Sequence, residues 1–265
     1  MPERHDPVFK RRLISALILG PFAVFLLWMG GLFFTAWVAA FAAAMAWEWI
    51  QMSDEDAPPV AYAIACATAS GAVLLAGQTS IQEALAWGAL GTIGSALERF
   101  RRGWSIEVVG VLYVSLSAGL LAAMRSEADQ GLQAVILLFA IVWAADSFAY
   151  LVGTWIGGPK LLPQASPNKT WSGLVAGLLA GVAAGYAAGT LFELDPRAVI
   201  VFALLVALAS IGGDLAMSLF KRSFGVKDSG TLIPGHGGVL DRVDALMLAV
   251  VTAVIVGRFI DLGWS

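Results

Sequence analysis

The sequence predicts an all-α, polytopic integral membrane protein: a helical bundle with about nine transmembrane helices and a cytoplasmic N-terminus. Three observations predict this class. The 265 residues are 59% hydrophobic and 13% charged, with a mean hydropathy of +0.80, and a soluble domain has far fewer apolar residues. The apolar residues occur in runs of about 20, the length of a membrane-spanning helix. No run alternates like a barrel strand, so helices must satisfy the backbone polar groups in lipid.

The first span follows a basic N-terminal stretch, which is also typical of a signal peptide. Its apolar run, residues 13–29, exceeds the roughly 7–15 residues of a signal-peptide core, and a second apolar segment follows almost at once. We therefore interpret it as a retained membrane helix. The fourth span is the weakest, since it is short and carries Glu83 at its start. The nine predicted spans are 13–29, 31–50, 59–77, 81–97, 105–124, 132–157, 171–191, 197–219 and 245–262.

The basic residues support this count of spans. With a cytoplasmic N-terminus, thirteen of the sixteen Lys and Arg residues fall on the cytoplasmic side, as the positive-inside rule requires. A miscounted helix would mix the two sides. The tryptophans near predicted helix ends are expected at the membrane interfaces; they are Trp28, Trp49, Trp104 and Trp171.

The seventh span carries a glycine at every fourth position, from Gly173 to Gly189. Such a ridge of small residues is typical of a dimer contact through a small-xxx-small surface. Close packing against another helix of the same chain explains it as well and is the interpretation we favour. With no longer repeats and no disordered linker, we predict one membrane domain, 1–265, in which the helices of 13–124 are mainly scaffold and 132–250 is the catalytic part.

Two aspartates lie deep in predicted spans. Counting from the cytoplasmic end at 1.5 Å per residue, Asp146 lies roughly 16 Å deep and Asp214 roughly 10 Å deep. A charge at the bilayer centre costs at least about 2.5–3.5 kcal/mol, so such residues normally face a cavity, a partner or an ion. A cap or one hydroxyl partner would also satisfy a single aspartate.

Helical spacing groups further polar residues near them. Asp214, Ser218 and Lys221 are at i, i+4 and i+7, which puts them on one face of the eighth helix. Asp241 and Asp244 are at i and i+3, on one face of the ninth helix. The helix dipole alone favours carboxylates there, but the preceding Gly-His-Gly-Gly can also bring backbone N–H groups to an anion. Carboxylates without cysteine suit Mg²⁺, and neighbouring Lys and Arg suit phosphate. The pattern predicts Mg²⁺-assisted phosphoryl or nucleotidyl transfer at the cytoplasmic face.

The segment Ser218–Asp244 reads SLFKRSFGVKDSGTLIPGHGGVLDRVD, and we call it the signature segment. It resembles the signature of the phosphatidate cytidylyltransferases, also called CDP-diacylglycerol synthases, over its whole length. Two shorter segments agree with the same family: Asp146–Tyr150, which reads DSFAY, and Ser166–Thr170, which reads SPNKT. The resemblance covers essentially the whole chain. One departure is Ser172, where relatives commonly carry Glu.

The resemblance implies transfer of CMP from CTP to phosphatidate with Mg²⁺, giving CDP-diacylglycerol and pyrophosphate. The lipid phosphate is the nucleophile, and it is anionic near neutral pH because the second pKa of a phosphate monoester is about 6. The expected metal ligands are Asp146, Asp214, Asp241 and Asp244. The expected catalytic residues are Asp214, Lys221, Asp241, Asp244 and His236. The expected contacts to phosphate or substrate are Ser166, Lys169, Thr170, Ser218, Arg222, Lys227 and Arg242.

Several points stay open at this stage. His236 fits a general acid for pyrophosphate departure and a structural turn residue equally well, and a second, monovalent cation is left open. The expected partners are CTP and bilayer phosphatidate, with no nucleic acid, and a homodimer is compatible with the glycine ridge. The expected location is the inner membrane of a bacterium, with the active site facing the cytoplasm. The alternatives are a CTP-dependent polyprenol or phytol kinase, a small-solute or ion transporter, and a structural scaffold.

Overall fold

The computed structural model describes residues 20–99, 106–233 and 237–264. In this part of the chain nearly all regular structure is helical. The helices are α1 (Gly20–Met29), α2 (Gly31–Ser53), α3 (Pro59–Gln78), α4 (Ile81–Arg99), α5 (Ile106–Ser126), α6 (Gly131–Ile156), α7 (Trp171–Leu191), α8 (Pro196–Ser223) and α9 (Leu240–Gly257). A short antiparallel hairpin, β1 (Lys160–Leu162) and β2 (Ser166–Thr170), separates α6 from α7. The all-α prediction is confirmed except for this hairpin, which the sequence analysis treated as a loop.

Six of the described helices are long and apolar enough to cross a membrane: α2, α3, α5, α6, α7 and α8. These six support a multi-pass membrane protein. The other three predicted spans stay predictions. Only residues from Gly20 onward are described in α1, and α4 and α9 are not among the helices that are both long and apolar enough to cross a membrane. Helix α9 is too polar because it begins at Leu240, five residues before the predicted span, and therefore includes Asp241, Arg242 and Asp244.

The chain divides into two compact units. One unit runs up to Ser126 and adds Val226–Arg242, and the other comprises Glu127–Gly225 and Val243–Ser265. The middle of the signature segment groups with the N-terminal helices, and the second division falls inside α9. The single membrane domain, with scaffold helices in 13–124 and a catalytic part in 132–250, stays a prediction.

Close helix packing in the first unit depends on small residues. Trp49 of α2 is fully buried, and a Cβ atom at Gly110 of α5 would overlap its indole ring. The indole therefore occupies space that the missing side chain leaves, and the prediction that Trp49 lies in an interfacial belt is wrong. Trp28 and Trp171 are exposed, as an interfacial position requires. Trp104 lies outside the described residues.

The glycine ridge of α7 packs inside the second unit. A Cβ atom at Gly177 would lie 2.7 Å from the Ala145 carbonyl oxygen of α6, and one at Gly185 would lie 2.6 Å from the Ala203 Cβ atom of α8. All five ridge glycines are buried. The favoured interpretation, intrachain packing, is therefore confirmed. A dimer contact through this ridge is excluded, because its surface is already covered by α6 and α8.

Candidate functional site

The hairpin brings Lys169 to α8. Strands β1 and β2 pair Lys160 with Thr170 and Leu162 with Ser166, so Lys169 projects just before α7 begins. Its ammonium forms an ion pair with the Asp214 carboxylate of α8. The resemblance grouped both residues with the site, but no spacing argument could place them together, since 45 positions separate them in the chain.

Thr170 ends the hairpin as the N-cap of α7. Its hydroxyl oxygen accepts a hydrogen bond from the Gly173 N–H at 3.1 Å and contacts the Ser172 hydroxyl at 3.0 Å. Ser172, the residue that departs from the family pattern, donates to the Gly157 carbonyl oxygen. A threonine cap satisfies one of the N–H groups that a helix start leaves without an intrahelical partner. The Thr170 side chain thus holds the hairpin to α7, and its contact with phosphate stays a prediction.

The predicted polar face of α8 is present. Asp214 and Ser218 are one turn apart, and the Ser218 hydroxyl lies 3.5 Å from the Asp214 Oδ1 atom, at the outer limit of a hydrogen bond. Lys221 lies one further turn along the same face and is largely buried. Its ammonium nitrogen is 3.8 Å from the Asp244 Oδ2 atom of α9.

Glycine at position 213 allows α8 and α9 to approach closely at this point. A Cβ atom there would lie 2.9 Å from the Leu248 Cβ atom and 3.0 Å from the Asp244 carbonyl oxygen. Since Asp214 follows Gly213 directly, the close approach brings the Asp214 and Asp244 carboxylates near each other. We call the group Lys169, Asp214, Ser218, Lys221 and Asp244 the Asp214–Asp244 site.

The charged groups of this site affect one another's protonation. Asp244 precedes the predicted ninth span, and burial raises the pKa of its carboxyl to about 7. The neighbouring Asp214 carboxylate adds to the rise in this pKa, and the Lys221 ammonium opposes it. A cation bound beside Asp244 would favour the ionised form of its carboxyl and lower the pKa again.

The donors of the Asp214–Asp244 site suit Mg²⁺. Two carboxylates supply hard oxygen ligands, and Mg²⁺ is usually held by one or two carboxylates together with waters and substrate phosphates. Among the described residues there is no group of three or more His, Cys, Asp or Glu side chains arranged to hold a metal. The four-aspartate ligand set and metal binding by the Asp214–Asp244 pair both stay predictions.

The other two predicted ligands have different surroundings. Asp146 is exposed on α6. Asp241, in the first unit, accepts hydrogen bonds at Oδ2 from the Ser229 N–H at 2.9 Å and the Gly238 N–H at 3.1 Å. The Gly-His-Gly-Gly stretch is predicted to present backbone N–H groups to an anion. In the structure, the Gly238 N–H of this stretch donates to the Asp241 carboxylate of the same chain.

The remaining predicted contacts are more scattered. Arg222, Lys227 and Arg242 are exposed, and Ser166 is half-buried in β2. Exposed basic side chains are accessible to a nucleotide from solvent. His236 lies outside the described residues, so its role as general acid or turn residue stays open.

Glu48, near the end of α2, is a further buried carboxylate that was not among the residues predicted from the sequence. Its side chain is fully buried and accepts hydrogen bonds from the Val239 and Leu240 N–H groups, each at 2.9 Å. A third comes from the Ser229 hydroxyl at 3.3 Å. An acidic residue inside an apolar run was the available signal, by the same argument that singled out Asp146 and Asp214.

Comparison with known proteins agrees with the resemblance noted in the sequence. The model of the cytidylyltransferase family matches residues 10–260. A phosphatidate cytidylyltransferase of Brucella abortus is 39% identical over 261 residues, covering 94% of this chain and 93% of the relative. One from Pseudomonas aeruginosa is 38% identical over 262 residues, covering 92% of this chain and 94% of the relative. One from Haemophilus influenzae is 42% identical over 126 residues, which are 45% of this chain and 44% of the relative.

Proposed function

Because this chain belongs to the cytidylyltransferase family, we propose that it transfers CMP from CTP to phosphatidate. The products are CDP-diacylglycerol and pyrophosphate. The observation that carries this proposal is the Asp214–Asp244 site, where two carboxylates and two lysines from the hairpin, α8 and α9 form two ion pairs. The names of the full-length relatives support the choice of substrates.

The bond changes need no activated protein nucleophile. An oxygen of the lipid phosphate attacks the α-phosphorus of CTP, one P–O bond forms, and the bond from that phosphorus to the pyrophosphate oxygen breaks. The attacking oxygen is already anionic near neutral pH. The barrier therefore comes mainly from the approach of two polyanions, which charge neutralisation and in-line positioning lower.

The residues of the Asp214–Asp244 site have different roles in charge neutralisation and positioning. Lys169 and Lys221 supply positive charge to the phosphates, and the Ser218 hydroxyl orients the Asp214 carboxylate. Asp214 and Asp244 would hold Mg²⁺, and the bound ion would neutralise charge on the phosphate oxygens of CTP. In this arrangement each lysine exchanges its carboxylate partner for a phosphate when substrate and metal bind.

A membrane protein of this kind is expected to bind its two substrates from different phases. Phosphatidate diffuses in the bilayer and CTP in water, so the reacting groups meet at the headgroup level. We propose that the membrane is the inner membrane of a bacterium and that the site faces the cytoplasm. The basic residues on that side in the predicted topology support the orientation.

Position-specific labelling of CTP tests the reaction. Purified protein in mixed micelles with phosphatidate and Mg²⁺ is expected to move label from the α-phosphate of CTP into the lipid fraction. Label at the γ-phosphate should appear only in pyrophosphate. Transfer of γ-label to lipid would show a kinase instead and would overturn the proposal, as would the absence of lipid labelling from either position.

Replacing Lys169 with alanine is expected to raise the KM for CTP about tenfold. The variant removes one of the two ammonium groups that we assign to the phosphates, and a hydrogen bond to a charged group contributes roughly 1.5–3 kcal/mol. Initial rates across a CTP titration would measure the change. Lys160→Ala is the matched control, because Lys160 is exposed on the same hairpin. Equal kinetic constants for the Lys169 variant and the wild type would remove the hairpin from the substrate site.

A further inference from the structure

We propose that Glu48 is a positioning residue for the proposed nucleotidyl transfer, acting by holding Ser229 and residues 238–240, at the start of α9, in a fixed conformation. This inference rests on the proposed function for its kinetic consequence, but not for its structural one. Glu48 belongs to α2, far from the signature segment in sequence, and contacts no residue of the Asp214–Asp244 site among its described hydrogen bonds.

The Glu48 carboxylate caps the start of α9. The N–H groups at a helix start lack intrahelical partners and carry the positive end of the helix dipole. The side chain that caps a helix start usually belongs to the residue just before the helix. Here the capping carboxylate belongs to a different helix, α2. The Oε1 atom of Glu48 accepts from the Val239 N–H, and its Oε2 atom accepts from the Leu240 N–H and the Ser229 hydroxyl.

Two glycines make room for this carboxylate. A Cβ atom at Gly238 would lie 2.6 Å from the Oε2 atom of Glu48 and would overlap the Ser229 hydroxyl oxygen. A Cβ atom at Gly230 would lie 2.8 Å from Oε1. Any side chain at either position would displace Glu48, so these two glycines of the signature segment leave space for a side chain outside it.

Glu48 and Asp241 together hold Ser229 to the start of α9. Ser229 uses its hydroxyl for Glu48 and its N–H for Asp241, while Gly238 donates to Asp241 and the next two residues donate to Glu48. The position of the Asp241 carboxylate is therefore fixed by the same backbone that Glu48 fixes. Loss of Glu48 should loosen this backbone and, through it, Asp241.

Glu48→Gln tests the proposal with a change of only one atom. Glutamine has a single acceptor oxygen, and its NH₂ group can only donate. In either orientation its NH₂ group faces a backbone N–H, of Val239 or of Leu240, so at least one hydrogen bond is lost. Gly238→Ala disturbs the same contact from the opposite side, and Ser229→Ala removes the weakest of the three contacts.

The first readout is amide hydrogen exchange without nucleotide or metal. In Glu48→Gln, exchange at residues 229 and 238–240 is expected to rise about tenfold, while exchange in α3 and α5 stays as in the wild type. Gly238→Ala should give the same local pattern, and Ser229→Ala a smaller one. Glu83→Gln, an exposed carboxylate-to-amide change in the same unit, should leave every segment unchanged.

The second readout is the rate of CDP-diacylglycerol formation. Glu48→Gln is expected to lower kcat about 10–100-fold, the usual effect of removing a residue that orients a site residue. Unchanged exchange at 229 and 238–240 would overturn the proposal, and so would a rise shared equally by α3 and α5, which would show a general loss of stability. Wild-type kcat in a variant with raised local exchange would also overturn it. If the wild type forms no CDP-diacylglycerol, the proposed function fails. The exchange experiment still decides whether Glu48 holds Ser229 and the start of α9.

Discussion

Replacing Asp244 with asparagine is expected to lower the turnover of CTP and phosphatidate by about 10²–10³-fold, the usual effect of removing one charge-stabilising group. The change keeps the shape of the side chain but removes the negative charge that we assign to Mg²⁺ binding. Asp214→Asn should have an effect of the same size, because the two carboxylates share one site with Lys169 and Lys221. The measurement is the initial rate of CDP-diacylglycerol formation at saturating CTP.

The control for this prediction is Asp129→Asn, an exposed aspartate of the same unit, which should retain wild-type turnover. Size-exclusion chromatography in detergent would show that each variant is folded. Near-normal turnover in Asp244→Asn or Asp214→Asn would remove that residue from the metal site. A rise in the Mg²⁺ concentration needed for half-maximal rate would support the assignment, since a lost ligand weakens metal binding.

Replacing Gly213 with alanine is expected to lower turnover about 10²-fold. The added Cβ atom would lie 2.9 Å from the Leu248 Cβ atom and 3.0 Å from the Asp244 carbonyl oxygen, so α8 and α9 would have to move apart. A displacement of about 1 Å in a reacting geometry can cost 10²-fold in rate. The same overpacking should destabilise the protein by about 1–3 kcal/mol, which thermal unfolding would measure alongside the rate.

Gly212→Ala is the matched control, one residue away on the same helix. Its Cβ atom would meet only the Leu248 Cδ2 atom, at an ordinary 3.9 Å. Both variants carry the same change in helix propensity, so a difference between them reports the approach of α9. Equal activity of the two variants would show that the proximity of Asp214 to Asp244 is not needed for turnover.

Most helices could be predicted from the sequence, because membrane spans follow from the length and polarity of each run. The seventh span is predicted at its observed bounds, Trp171–Leu191. The ninth is the exception, since its first turn carries charges and a hydropathy argument starts the span only after Asp244. At the observed start, Leu240, the Glu48 carboxylate of α2 caps the helix.

The candidate site was predictable only where its residues are close in sequence. Helical periodicity places Asp214, Ser218 and Lys221 on one face, and the structure confirms this face. The ion pair between Lys169 and Asp214 depends on the hairpin, and no local sequence pattern predicts the register of its strands. The four-aspartate ligand set stays a prediction, and the hydrogen bonds from the Ser229 and Gly238 N–H groups to Asp241 could not be predicted from the sequence.

The sequence by itself determined that this is a helical membrane protein, which segments are helical and which family it resembles, because hydrophobicity, periodicity and motif spacing are local properties. The tertiary structure decided which distant groups meet. It turned the glycine ridge of α7 into an intrachain contact, joined Lys169 to Asp214, and placed Glu48 at the start of α9. Such contacts depend on how close two backbones can come, and that distance is set by packing against residues elsewhere in the chain.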